Sequence, residues 1–438
     1  MCQTVNKEIL RLAIPAILTN ITVPLLGMVD SAITGHLGST AYIGAITIGS
    51  MTFNLMYWLF AFLRMGTSGL TSQALGRGDG SEVRSLLRRS LRVAILLAAL
   101  LLLCQWPIRE VAFLLLGAKG EVLQHAYTYF NIVIWGAPAS LGLFALTGWY
   151  IGMQNSRIPM WVAIVQNVTN IVASLILVYT FHLSMRGVAI GTVIAQWTGF
   201  LFACSRIPAV LDTNNLDKAN AGRTVNDEGR QRRHGSFFAI NRDIFLRTLC
   251  LVSVNLAFTA YGARQGEVML AVNGLLMQLF LLFSYFIDGF AFAGEAMSGK
   301  AIGAGQHAMF WRLVRRLFVW GLAIALPFTL LYALLTPQFI TLLTDQTVVS
   351  NAVKSYVPYI ALVPLLGMPA FIWDGIYIGA TASRQMLITS IIATLSFFAV
   401  LALGAGDNPS LWIAFLIYLS VRGLMQTWLK KTLWQTKK

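Results

Sequence analysis

Charge is what this chain has least of. Of its 438 residues only 11% are Asp, Glu, Lys or Arg, against about 25% in soluble domains. A water-facing surface of this size cannot be assembled from so few, which excludes a soluble globular protein. Acids are scarcer still, 17 against 32 basic residues. Cysteine is nearly absent: Cys2, Cys104, Cys204 and Cys250 stand singly, with no C-x-x-C pair, so no disulfide framework or cysteine metal site is expected. The five histidines, His36, His125, His182, His234 and His307, fall near the ends of apolar segments or in polar stretches. None belongs to an H-E-x-x-H motif, which leaves a membrane zinc protease unsupported. No G-x-x-x-x-G-K-S/T run exists either, so an ATP-driven pump of the P-loop kind is excluded. With no nucleophile or metal constellation left, neither an enzyme nor a bound cofactor or metal is expected. A cleaved signal peptide is not expected, because the first apolar segment holds Pro15, Pro24 and Asp30 and is too long for one.

What the chain has in abundance is apolar length. Hydrophobic residues make up 57%, and a helix needs about 20 of them to cross the hydrocarbon core. Twelve segments qualify or nearly do, at about 10–34, 41–75, 87–106, 124–152, 158–181, 187–205, 243–263, 268–303, 313–335, 352–380, 386–404 and 411–429. The expected class is an all-α membrane protein with twelve transmembrane helices. The polar stretch 206–241, rich in Asn, Arg, Asp and Gly, divides them six and six and reads as a disordered or loosely helical linker. The expected domains are therefore 1–205, 206–241 and 242–438.

The two halves repeat each other at a constant offset of 227 residues. Gln73-Ala74-Leu75-Gly76-Arg77-Gly78 maps onto Lys300-Ala301-Ile302-Gly303-Ala304-Gly305, and Arg88-Arg89 onto Arg315-Arg316. Tyr150-Ile151-Gly152 with Ser156-Arg157 maps onto Tyr377-Ile378-Gly379 with Ser383-Arg384. Six spans per repeat is an even number, so both halves enter the bilayer in the same sense. Two six-helix bundles related by a pseudo-two-fold along the membrane normal, with a cavity between them, follow as the expectation. This is a transporter's architecture.

The net charge of +15 would suggest nucleic acid in a soluble chain. In a membrane chain the placement of basic residues matters more. With a cytoplasmic N-terminus, 25 of the 32 basic residues fall on the inner side, Arg206, Arg242 and Arg247 of the linker region among them. The expected location is the plasma (inner) membrane of the cell, multi-pass, with both termini cytoplasmic and no nucleic-acid partner.

Ionisable residues at membrane depth are costly and mark pathways. The embedded set is Asp30, Arg64, Asp288, Glu295, Asp374 and Arg422. Asp30 lies six residues after Pro24, whose missing backbone donor makes it a natural hinge. A carboxyl taken out of water there is disfavoured in its charged form, so protonation at physiological pH is expected. On the fifth span Asn167, Asn170 and Ser174 share one helical face, and Thr192 of the sixth is placed to complete a polar cluster. In the second half Asp288 and Glu295 are two turns apart on one face, and Asp374 and Tyr377 are i, i+3 on the tenth span. Three acids near a cavity favour a cationic ligand. The alternative for Glu295 is an interfacial ion pair near Lys300.

These motifs resemble the MATE family of multidrug and toxic compound extrusion transporters, and within it the DinF branch. The resemblance is carried by Pro15, Gly27-Met28-Val29-Asp30-Ser31, Gly35-His36-Leu37-Gly38, the Gln73–Gly78 run, Asp288-Gly289-Phe290-Ala291, Gly294-Glu295-Ala296 and Asp374-Gly375-Ile376-Tyr377-Ile378-Gly379-Ala380. It spans about residues 7–430. It implies alternating-access export of amphipathic, often cationic, compounds against inward H⁺ or Na⁺. It further implies Asp30 as the proton site, with Asn170 and Thr192 as hydrogen-bonding partners, and Asp288 and Asp374 as second-half acids. Ser174 stands where some relatives carry a second Asp, and the Na⁺-coupled branch's seventh-helix Glu has no clear match, since Glu267 lies at an outer end. On this balance H⁺ is the expected coupling ion, with Na⁺ as the alternative. Small amphipathic molecules and the bilayer are the expected partners, and a monomer the expected state. A flippase for lipid-linked saccharides is the rival function; its anionic substrate would call for basic residues in the cavity, whereas the embedded set has four acids and two arginines.

Overall fold

Long apolar runs in a bilayer fold as helices, which satisfy their own backbone groups, and in a computed structural model of the chain helix is almost all there is among the described residues. The structure describes residues 2–35, 40–117, 119–213, 227–404 and 406–435, and none of these is in a strand. The motif residues 36–38 and the middle of the expected linker, 214–226, lie outside the described residues. Two compact units are formed, one of Leu18–Thr224 and one of Met1–Ile17 with Val225–Lys438. The division falls inside the first helix, α1 (Cys2–Gly35), which runs on through Pro15 and Pro24.

The Leu18–Thr224 unit holds the rest of α1 and then α2 (Thr40–Phe60), α3 (Phe62–Gly76), α4 (Gly80–Leu103), α5 (Gln105–Leu115), α6 (Gly120–Val133), α7 (Ala137–Gly152), α8 (Arg157–Leu175), α9 (Ser184–Ser205) and α10 (Ile207–Thr213). Asp79 starts α4 by accepting from the Glu82 backbone N–H at 3.0 Å, which satisfies one of the free donors of a first turn. The chain bends by 69° between α4 and α5. The core is aromatic where α2 meets α6, with Phe53 stacked on Phe130 at 5.0 Å between ring centres.

The other unit holds α11 (Asp227–Arg264), α12 (Glu267–Gly303), α13 (His307–Leu343), α14 (Thr347–Val353), α15 (Val357–Gly379), α16 (Ser383–Leu403), α17 (Asn408–Trp428) and α18 (Thr432–Gln435). The expected linker is thus helical at both described ends, in α10 and in the start of α11. Among the described residues ten helical stretches are long and apolar enough to cross a membrane, and the bent α4–α5 pair makes an eleventh. At 1.5 Å per residue the 34 residues of α1 extend about 51 Å, which completes the expected twelve. Exposed apolar stripes, such as Val319, Leu322, Leu326, Leu330 and Leu334 on α13, are what lipid-facing helices present and what water would not tolerate.

The 227-residue spacing reappears in the backbone. At the end of α3 the N–H groups of Gly78 and Asp79 donate to the carbonyls of Leu75 and Ala74, and at the end of α12 those of Gly305 and Gln306 donate to Ile302 and Ala301. This is the Schellman cap, whose left-handed residue favours glycine, and Gly78 and Gly305 have φ of 70° and 69°. The ends of α7 and α15 repeat the pattern through Gln154 and Thr381, left-handed without being glycine, at φ 62° and 54°. Helix contacts repeat as well. A Cβ on Gly148 would meet the Arg64 carbonyl oxygen and lie 3.0 Å from that residue's carbonyl carbon, while one on Gly375 would meet the Ala291 carbonyl and lie 2.7 Å from its carbon. Both pairs stand 227 apart, so α3 packs on α7 as α12 packs on α15.

Candidate functional site

Polar side chains on apolar helices collect where helices touch closely. On α8, Asn170 and Ser174 are fully buried. Asn170 Nδ2 donates to Thr192 Oγ1 on α9 at 3.2 Å, and that hydroxyl donates to the Val188 carbonyl at 3.0 Å. Ser174 lies where α9 comes nearest, since a Cβ on Gly191 would stand 2.9 Å from its backbone nitrogen. Asn170 Oδ1 and Ser174 Oγ carry no hydrogen-bond partner among the described residues. One turn earlier Asn167 Nδ2 donates to the Thr22 carbonyl of α1 at 3.1 Å. Just past Ser174 the helix widens into a π turn, Ile176–Thr180, a distortion common at functional sites. The expected partners Asn170 and Thr192 are therefore in contact, with Ser174 one turn on. Asp30 and Pro24 belong to α1, but their side chains lie outside the described residues.

The acids of the other unit are arranged differently. Asp288 is half-buried on α12, and Glu295, two turns on, is buried. Asp374 on α15 is buried and accepts from two arginines at one oxygen, Arg247 of α11 and Arg422 of α17, both through Nη2. Gln426 Nε2 donates to its other oxygen at 2.7 Å. Tyr377 donates its hydroxyl to the Gln426 carbonyl at 2.7 Å, and Trp373 Nε1 donates to Thr427 Oγ1 at 2.8 Å. Asp374 and Tyr377 thus tie α15 to α17.

Arg247, counted by charge placement with the inner-side linker region, is 3% exposed and belongs to the stretch Phe237–Arg264, which is long and apolar enough to cross a membrane. The physical reason is Asp374: a guanidinium enters a helix bundle when a carboxylate meets it there. The signal available in the sequence was its position within Ile244-Phe245-Leu246-Arg247-Thr248-Leu249, an apolar run on both sides. Arg422, whose acid could not be named from sequence, meets Asp374. Among the described residues no group of three or more His, Cys, Asp or Glu converges as a metal site would require. The Leu18–Thr224 unit also has a cavity of about 560 Å³ lined by Trp161, Phe202 and Arg206, and one of about 330 Å³ beside His125 and His182; neither contains an expected site residue.

Comparison with known proteins bears on the whole chain. The MatE family model matches residues 15–176 and again 244–403, once in each half. DNA damage-inducible protein F of Escherichia coli K12 is 35% identical over 423 residues, covering 96% of this chain and 90% of that one. The multidrug export protein MepA of Staphylococcus aureus is 22% identical over 275 residues, 63% of this chain and 60% of that one. A crystal structure of a MATE protein in the bent conformation superposes with a TM-score of 0.87 at 19% identity, covering 99% of this chain and 96% of that one.

Proposed function

The chain belongs to the MatE family of multidrug and toxic compound efflux transporters, and on that premise we propose that it is a proton-coupled antiporter exporting amphipathic, cationic compounds. In this reading Asp30 takes up a proton from outside, its contacts to Asn170, Ser174 and Thr192 rearrange, α1 bends near Pro24, and substrate leaves. Alternating access is then a rocking of residues 1–205 against 242–438, in a monomer of the inner membrane with both termini in the cytoplasm.

The observation that carries the reading is the buried acceptor on α8. Asn170 has its Nδ2 committed to Thr192, leaving Oδ1 buried and without a partner among the described residues. A buried acceptor of this kind asks for a hydrogen-bond donor. A protonated carboxyl is one; a carboxylate is not. Register brings Asp30 toward Ser174, the neighbouring group on the same face, whose Oγ is likewise buried without a partner among the described residues. First and fifth spans run in the same direction, and Asn167 marks where α8 meets α1 at Thr22. From that contact Asp30 is eight residues on along α1 and Ser174 seven along α8, about 12 and 10.5 Å at 1.5 Å per residue, whereas Asn170 is about 4.5 Å along, so in this reading the carboxyl meets the Ser174 end of the cluster.

Driving such an exchange from 1:99 to 99:1 takes about 5.5 kcal/mol of differential binding. The test is Asp30→Asn in inside-out vesicles, with proton release on substrate addition as the readout. Loss of substrate-induced release is expected. Unchanged coupling would remove Asp30 from the mechanism, and sodium-dependent, pH-independent exchange by the unmutated protein would replace the proton itself.

A further inference from the structure

A charge drawn into a helix bundle has to be answered by another. Around Asp374 the answer is incomplete. Two guanidiniums, with side chains 4% and 5% exposed, meet one carboxylate. Asp243, one turn before Arg247 on α11, is already engaged: it accepts from Arg242 at 3.0 Å and from Ser383 Oγ at 3.0 Å. The ionisable groups near enough to act on either guanidinium are Asp374, the other arginine and Tyr418. Tyr418 hydrogen-bonds Arg422 but, being neutral, adds no charge, so among the described residues the cluster holds one positive charge in excess.

The hydrogen-bond inventory agrees with the charge. Arg247 Nε, Arg247 Nη1 and Arg422 Nε are buried and carry no partner among the described residues, although each arginine spends Nη2 on Asp374. Phe371 lies beside the Arg422 guanidinium, with its ring centre 5.8 Å away. It offers a π face and no in-plane acceptor. The remaining unpartnered group, Gln426 Oε1, is an acceptor and can help only through a bridging water. Water alone can accept from these N–H groups but leaves the charge; a compact anion answers both.

We propose that the free edges of Arg247 and Arg422 form a binding site for a compact monovalent anion of chloride size, which neutralises the cluster and joins α11, α15 and α17. Asp30, the residue assigned to ion coupling under the proposed function, belongs to the other unit. A ligand that binds only the folded protein raises its apparent stability as its concentration rises.

The test uses the purified full-length protein in detergent, with chloride replaced by gluconate at fixed ionic strength. The melting temperature is expected to rise saturably with chloride, and bromide and nitrate are expected to substitute for it. Arg247→Gln removes the excess charge and two of the donors, so half-saturation is expected to move up about tenfold or more. Asp374→Asn adds a further positive charge and is expected to move it down. Asp30→Asn is expected to leave the chloride response unchanged. A wild-type melting temperature indifferent to chloride would overturn the proposal, and this measurement needs no variant to fold. The same half-saturation in Arg247→Gln would overturn it too, since the effect would then be one of salt in general.

Discussion

Replacing Gly375 with alanine sets a methyl group against backbone that has nowhere to go. The added carbon would meet the Ala291 carbonyl oxygen and sit 2.7 Å from the carbonyl carbon and 2.8 Å from Cα, well inside the 3.5–4.0 Å at which carbon atoms rest. A clashing side chain can change rotamer, but a helical carbonyl cannot, so α12 and α15 must separate. The strain is not local, because Gly379, one turn along the same face, is packed as closely, with the Gly299 nitrogen 2.9 Å from its would-be Cβ. Overpacking costs about 1–3 kcal/mol and sometimes more, and a backbone-to-backbone clash belongs at the upper end. At about 2–4 °C per kcal/mol for a unit of roughly 200 residues, a loss near 3 kcal/mol lowers the melting temperature by roughly 6–12 °C. Thermal unfolding in detergent followed by tryptophan fluorescence measures it. Gly148→Ala, the counterpart against Arg64, is expected to fall by a comparable amount. Gly274→Ala is the control: nothing lies within 4 Å of its would-be Cβ, so alanine there should be neutral or stabilising by up to about 1 kcal/mol. If Gly375→Ala and Gly148→Ala melt with the wild type, or Gly274→Ala falls as far as they do, the close-approach argument is wrong.

Two further outcomes can be checked by the same unfolding measurement. Tyr377→Phe removes the hydroxyl that donates to the Gln426 carbonyl and is expected to cost about 1 kcal/mol or somewhat more, with no cavity to add to it. Asp79→Ala removes the cap of α4 and is expected to cost about 1 kcal/mol, while Asp79→Ser, which keeps an acceptor at the cap, should stay near the wild type.

The helices and their duplication were legible because both rest on short-range rules. Apolar run lengths gave the twelve spans, and the repeat at 227 residues reappears in the caps of Gly78 and Gly305 and the contacts of Gly148 and Gly375. Breaks inside spans were harder to see. The α4–α5 bend falls at Cys104, in a run of leucines followed by Gln105 and Trp106 that carries no helix-stop signal until Pro107. Part of the N-terminal polar set was legible from helical spacing, since Asn167, Asn170 and Ser174 recur on one face. That Asn170 meets Thr192 is a tertiary fact, anticipated by the expected polar cluster and by the resemblance but not fixed by spacing. The partners of Asp374 were not legible, for a physical reason. Charge placement sorts a basic residue by the segment around it, and Arg247 follows a basic stretch closely enough to be counted with it. What draws it inward is a carboxylate 127 residues away, a long-range match that no local pattern announces.

The glycine-to-carbonyl contacts shared by the halves have a consequence for how the copies could diverge. Helices held together backbone to backbone leave the neighbouring side chain outside the joint. Thr147 precedes Gly148 and Asp374 precedes Gly375. The positions equivalent to Arg247 and Arg422 in the first half are Asn20 and Ala195, uncharged both. After duplication, one copy could acquire an acid and two arginines on these helices while the other kept uncharged residues at the equivalent positions, with neither altering the seam on which its helices ride. Such a frame gives selection two interiors to tune separately at no cost in assembly.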